Sequence, residues 1–186
     1  MKRCILVVML LAFVTGCNKQ DTCLSNVLRF RNDLLSAELC SFDTVVTADY
    51  GDSTVSFKLH CEFDSNGDML FSVLSPETIS GITGTVSQLE GHLTFDDEAV
   101  VFSLLADGLI TPVSAPWLMV RALRSGYVNS CTENNEPMSI VLDDTFRAES
   151  LKVIVKADND VHPVSAEIIW QNRSIMFLEV ENFTLL

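Results

Sequence analysis

Val55-Ser56-Phe57-Lys58-Leu59-His60-Cys61-Glu62-Phe63 alternates apolar and polar side chains over nine residues. Successive side chains on a strand point to opposite faces, so this period puts Val55, Phe57, Leu59, Cys61 and Phe63 on one side and Ser56, Lys58, His60 and Glu62 on the other. One face is meant for a core and the other for water, the signature of an antiparallel sheet covered on one side. Asn66-Gly67 follows as a hairpin signal and returns the chain through Met69 to Leu74.

The same period extends in both directions. Upstream, Thr44, Val46 and Ala48 alternate with Val45, Thr47 and Asp49, and a turn at Gly51-Asp52 sets Tyr50 opposite Ser53 and hence Cys61 opposite Phe42. Downstream come Thr85 to Leu89, a Glu90-Gly91 turn, His92 to Phe95, an Asp96-Asp97-Glu98 turn and Val100 to Leu105. Six consecutive antiparallel strands make a meander. Residues 22 to 39 read as a helix, with Asp21 or Thr22 as its cap and Leu24, Val27, Leu28, Leu34, Leu35 and Leu39 as its apolar stripe. Ser114-Ala115-Pro116 opens a second helix, Trp117 to about Arg124, that stops at Gly126. Pro137 to Leu142, Leu151 to Lys156, Val164 to Trp170 and Ser174 to Asn182 are further strands, with a fifth candidate around Thr145. A long meander with right-handed twist curls, and two amphipathic helices are available for its hollow side. The expected fold is therefore α+β: a strongly curved antiparallel sheet of about ten or eleven strands, a half-barrel with helices lining the concave side.

The first residues set the location. Lys2 and Arg3, an apolar run from Ile5 to Val14 and Val14-Thr15-Gly16-Cys17 have the charged start, short apolar core and small-residue exit of a secretory signal peptide. A Cys directly after a small residue resembles the lipobox of bacterial lipoproteins, which implies that Cys17 becomes the acylated first residue. The expected organisation is signal peptide 1–16, lipidated tether 17–21 and one domain over 22–186, placed outside the cytoplasm at the cell envelope. The 12 basic residues less Lys2 and Arg3 leave 10 against 25 acidic, formally −15. That balance excludes nucleic acid as a partner and tight face-on docking to anionic lipid heads; positive potential must be local.

Cys23, Cys40, Cys61 and Cys131 remain, and an exported domain permits disulfides. A helix over 22–39 separates Cys23 from Cys40 by about 25 Å, too far for a bond. With Cys61 facing Phe42, beside Cys40, the favoured pairs are Cys40–Cys61 and, by remainder, Cys23–Cys131. The alternative keeps all four as small buried thiols.

Catalytic and metal chemistry find little footing. His60 shares the polar face with Lys58 and Glu62, His92 follows a turn, His162 precedes Pro163, and no Gly-x-Ser-x-Gly elbow is present. Asp64-Ser65-Asn66-Gly67-Asp68 lacks the Gly and Glu positions of an EF-hand loop and reads as a hairpin turn. The acidic runs 96–98, 143–144 and 158–160 lie at turns, where solvation accounts for them. The expectation is a non-catalytic protein with no metal and no cofactor.

Phe71-Ser72-Val73-Leu74-Ser75-Pro76-Glu77-Thr78-Ile79-Ser80-Gly81-Ile82, with Gly91-His92-Leu93-Thr94-Phe95, the Pro112 to Trp117 segment and the Pro163 to Trp170 strand, carries a family resemblance. The order of elements resembles the superfamily of the lipoprotein carrier LolA, its receptor LolB and mycobacterial lipid-binding lipoproteins. More narrowly, these stretches are similar to small lipoproteins of clostridia-like bacteria, the germination lipoproteins among them. The resemblance implies a half-barrel that shelters lipid or lipidated polypeptide, and carries no catalytic residue over.

Ala99-Val100-Val101-Phe102-Ser103-Leu104-Leu105 and Ile168-Ile169-Trp170 are apolar on both faces and must be covered twice. The plain cover is an ordinary core. The sharper one is an acyl chain lined by Phe71, Val73, Phe95, Phe102, Trp117, Leu118, Met119 and Trp170. Partners that follow are the membrane through Cys17, a lipid or lipoprotein ligand, or, with a closed core, an envelope protein meeting the acidic outer face.

Overall fold

The computed structural model describes residues 19–88, 91–95, 98–102, 105–106, 109–133, 137–143 and 151–186. In chain order these form α1 (Lys19–Ser36), β1 (Leu39–Asp49), β2 (Thr54–Asp64), β3 (Met69–Ser75), β4 (Thr83–Val86), β5 (Gly91–Phe95) and β6 (Glu98–Phe102). A small pair, β7 (Leu105–Ala106) and β8 (Leu109–Ile110), leads through a 3-10 turn at Pro112–Ser114 into α2 (Ala115–Ser125). Then follow β9 (Tyr127–Thr132), β10 (Met138–Asp143), β11 (Lys152–Ala157), β12 (Pro163–Trp170) and β13 (Arg173–Leu185).

Eleven strands make one open antiparallel sheet in the order β6-β5-β4-β3-β2-β1-β13-β12-β11-β10-β9. Two meanders are thus joined at their long strands, β1 against β13, with Cys40 paired to Leu185 and Ala48 to Met176. The expected six-strand meander is present, and Phe42 does face Cys61. The Asn66-Gly67 hairpin also forms, with Gly67 at φ +100° as the left-handed residue of a three-residue loop between Asp64 and Asp68.

Burial alternates along the strands. Phe42, Thr44 and Val46 on β1, Leu59 and Cys61 on β2, Ile140 and Leu142 on β10, Val153 and Val155 on β11, and Met176 and Leu178 on β13 all point into one core. Each fully buried aliphatic side chain of this kind contributes roughly 1.5–3 kcal/mol. Thr44, the polar member of the row, donates its hydroxyl to the Glu179 carbonyl at 2.8 Å. Both helices add stripes to the same core. Cys23, Val27, Phe30 and Leu34 of α1 recur at helical spacing, and α2 contributes Trp117, Met119, Val120, Ala122 and Leu123. α2 touches β10, β11, β12, β13, β1 and β2, whereas α1 packs on β9 and on α2.

Several expectations are corrected. The first helix runs Lys19–Ser36 rather than 22 to 39, so Lys19, Gln20 and Asp21, expected in a tether, begin it. Lys and Gln are good helix formers, so the sequence allows the earlier start. At the other end Leu39 is taken by β1, paired with Asp64 and hydrogen-bonded to Leu186. Ser114 does not cap α2: it sits in helical geometry at φ −83°, ψ −12°, with no side-chain cap bond. Buried, its hydroxyl has no partner among the described residues. β9 was not expected at all, and the candidate strand around Thr145 lies outside the described residues.

Of the two disulfides expected, Cys23–Cys131 is present, Cα atoms 5.9 Å apart, tying α1 to β9. Cys40 and Cys61 remain buried free thiols. Cys40 pairs with Phe63 and Cys61 with Phe42, so the two thiols are diagonal neighbours. Diagonal positions stand about 7–8 Å apart, beyond the span a disulfide tolerates. Burial pushes the Cys40 thiol up to about 12, against a smaller opposing pull from Arg124, and burial also raises Cys61 well above its ordinary value. Neither is a thiolate at neutral pH.

Candidate functional site

The polar turn between β2 and β3 is where the helices are fastened. Asp64 closes that turn by accepting hydrogen bonds from the backbone N–H groups of Gly67 and Asp68, each at 2.9 Å. Burial works against its ionisation, but the bonds from the Asp68 backbone, the Asn66 side chain and the Gly67 backbone prevail and hold its carboxyl below the usual carboxylate value. With the carboxylate spent inside the turn, the turn's carbonyls face outward and α2 reads them. The Trp117 indole donates to the Gly67 carbonyl at 2.9 Å, and Arg124 donates to the carbonyls of Asp64 and Ser65 at 2.9 and 2.8 Å. From the other side Arg31 of α1 donates to the Leu123 and Gly126 carbonyls, both at 2.7 Å, satisfying the C-terminal end of α2.

These clamps leave a hollow of about 560 Å³ between α1, α2 and the hairpin. Leu35, Phe63 and Trp117 form its apolar lining, Arg121 and Arg124 its cationic one, and Asn66, Asp68, Ser87 and Gln88 its rim. Arg121 lies over the Trp117 ring at 5.1 Å and Arg124 over the Phe63 ring at 5.3 Å, so both guanidiniums rest on aromatic faces. Arg124 makes no ion pair among the described residues; its charge meets only carbonyl dipoles and a ring.

A second depression of about 300 Å³ lies on the opposite, polar face, over β2 to β5, bordered by His60, Glu62, Ser72, Thr83, Thr85 and His92. There the His60 ring Nδ1 meets the Asp43 carboxylate at 2.8 Å, and Lys58 reaches Glu181 at 2.9 Å. The hydrogen bond from His60, partly opposed by burial and aided by Asn182, holds Asp43 below the ordinary carboxylate value.

The residues nominated from sequence are distributed unevenly. Phe71, Val73, Trp117, Leu118 and Met119 are buried in the common core, with Trp170 half-buried beside it. Trp117 lines the larger hollow and Phe71 the smaller. The side chains of Phe95 and Phe102 lie outside the described ones. Leu35, Phe63, Arg121 and Arg124 were not nominated. A signal existed: Trp117, Arg121 and Arg124 follow at i, i+4 and i+7, which places them along one side of a helix.

No protein-family model matches the chain, and no curated protein matches it. Solved structures similar to it include a LolA superfamily protein from Nitrosomonas europaea, at 9% identity and TM-score 0.46, covering 88% of this chain and 93% of that one. Lipoprotein LppX from Mycobacterium tuberculosis is similar at 11% identity and TM-score 0.44, covering 89% and 96%. MucB of Pseudomonas aeruginosa, solved in complex with MucA, is similar at 12% identity and TM-score 0.39, covering 87% and 56%. At these values the family stays unassigned. Among the described residues no helix is long and apolar enough to cross a membrane.

Proposed function

We propose that this chain is an extracytoplasmic lipoprotein, anchored through acylated Cys17, that holds an acyl-bearing molecule non-covalently on a half-barrel with its helices on the concave side. The observation that carries this reading is the hollow of about 560 Å³ with Leu35, Phe63 and Trp117 on its walls. Its size falls within the roughly 300–1,000 Å³ of small-molecule sites. Curvature is supported by devices in the sheet. Among the described residues the ladder register shifts near Ser41, Lys58, Val141, Lys156 and Ile168. β4 also carries Gly84, against which the Phe71 ring packs so closely that an added Cβ would stand 2.7 Å from it. Bulges and covered glycines bend sheets.

Among the described residues, the wing beyond β2 adds apolar surface. The main contacts of both helices end at β2 on that side, and Val100 and Val101 of β6 are 58% and 59% exposed. The chemistry asked of the protein is hydrophobic burial, with no bond made or broken. Native mass spectrometry of the protein extracted from membranes, together with uptake of a fluorescent acyl probe, tests this. Co-purifying lipid and saturable uptake are the expected results; repeated absence of both overturns the reading. Anchoring is checked separately by Cys17→Ser, which is expected to abolish palmitate labelling.

One observation favours a second reading. Beneath α2 the interior is filled, with Met119, Val120 and Ile140 fully buried. A module with a closed core would instead recognise an envelope protein through its acidic outer face. A salt-sensitive partner, lost when turn carboxylates are neutralised, would distinguish it.

A further inference from the structure

We infer that α1 lies along the membrane surface, its leucine row Leu24, Leu28 and Leu35 entering the boundary between lipid headgroups and acyl chains, so that the domain is held in one orientation. This rests on the reading of Cys17 as the acylated anchor and adds the surface through which the domain meets the bilayer.

The row belongs to the helix. Leu24, Leu28 and Leu35 are 39%, 49% and 49% exposed. At the turn of an α-helix they fall within about 40° of arc, whereas the core row of Cys23, Val27, Phe30 and Leu34 is centred roughly 110° away. α1 thus carries two apolar rows, of which the core uses one. Arg31 shares the leucine arc, but its guanidinium is turned to the Leu123 and Gly126 carbonyls at 2.7 Å. Ser25, Arg29, Asn32 and Asp33, all exposed, follow on the outer side. Going round the helix, the surface therefore passes from apolar to polar, as it does on a helix lying in a bilayer interface.

The distance to the anchor decides what covers the row. Only Asn18 stands between Cys17 and Lys19, the first residue of α1. Two residues of chain span about 7 Å at most, so acyl chains on Cys17 bring the start of α1 to the headgroups. A helix standing upright there would carry Leu35 about 24 Å from the surface. Lying down, it brings all three leucines to one depth, because they share one side. Rotation about the helix axis is not free: the Cys23–Cys131 bond and the Arg31 bonds to the end of α2 fix which side of α1 faces the core. Charge selects the kind of bilayer. With 25 acidic against 12 basic side chains the protein gains nothing from anionic headgroups, so burial drives the contact and a zwitterionic surface suffices.

The test uses the full acylated chain in phosphatidylcholine nanodiscs. Cys40 and Cys61 are buried and Cys23 is bonded to Cys131, so a single introduced thiol takes a nitroxide selectively. Leu24→Cys, Leu28→Cys and Leu35→Cys report from the row, Arg29→Cys and Asp33→Cys from the polar side; every one of these positions is exposed, so the fold tolerates the label. The expected result is that labels in the row lose access to a water-soluble nickel chelate and gain access to oxygen, while those at 29 and 33 keep chelate access. Adding phosphatidylglycerol should leave the contrast unchanged. Leu24→Ser with Leu28→Ser should restore chelate access to a label at position 35, a change that the label's own greasiness would not produce. Equal chelate access at all the labelled positions overturns the inference and leaves the anchor intact, since the domain then stands off the bilayer. Spin–spin broadening at position 28 that needs two copies per disc also overturns it, because a second copy then covers the row. Absence of palmitate on Cys17 of the unsubstituted protein defeats the anchored reading itself, and the inference with it.

Discussion

At the scale of single residues, polar groups are placed where they fix turns and strands, and their titration is readable. Asp43 is held ionised by His60 and Asn182 on the water-facing side of β1. A carboxyl whose folded value is depressed adds stability above its ordinary value, near 3.8, and loses it as pH falls through the lower folded value. Asp43→Asn is therefore expected to cost about 1 kcal/mol at pH 7, and denaturant titrations of the two proteins should converge as pH falls through the depressed folded value. What sequence could reveal at this scale was the alternation that put His60 on the wet face. Its partner was legible too, because the register that sets Cys61 opposite Phe42 also sets His60 opposite Asp43; what stayed hidden was Asn182, brought in by β13. Cys40 and Cys61 were misread although the register was right: it leaves them diagonal, two positions from a direct pair and too far apart to bond.

At the scale of elements, Gly84 and the Cys23–Cys131 bond are the features that packing cannot replace. A Cβ on Gly84 would collide with the Phe71 ring and with the His92 carbonyl across the ladder. Gly84→Ala is expected to destabilise the protein by about 2 kcal/mol or more through overpacking. Thermal melting checks it, and Phe71→Leu in the same chain should recover part of the loss. The disulfide closes a loop of 108 residues and holds α1 beside β9. Removing it with Cys131→Ala should lower stability by about 2–5 kcal/mol, read from the shift in denaturant midpoint with and without reductant. Long alternating segments such as β1 and β2 were legible because their period persists over 11 residues. β9 was not: Tyr127 to Thr132 mixes exposed and half-buried positions along an edge, where neither face needs a clean pattern. The end of α1 was misread since Leu39 fits a helical stripe as well as a strand.

At the scale of the molecule, Trp117 was the lining residue of the larger hollow visible in sequence, and Leu35, Phe63, Arg121 and Arg124 were not. Trp117 stands out by composition, whereas Arg124 acquires meaning only when a turn 60 residues away presents its carbonyls to it. The number of strands could be approximated from turn spacing, but not the order in which they join. That order has a measurable result: β13 pairs with both β1 and β12, so deleting residues 173–186 should unfold both meanders together, seen as loss of the near-ultraviolet dichroism of Trp117 and Trp170 in one transition. Contacts such as Cys40 with Leu185 span nearly the whole chain and slow folding. A polypeptide emerging from its amino end first carries the left bank of this seam long before the right bank exists. Until the final stretch arrives, β1 has an unsatisfied border and no stable halfway architecture. Such a layout postpones consolidation until β13 has been made and can close the seam.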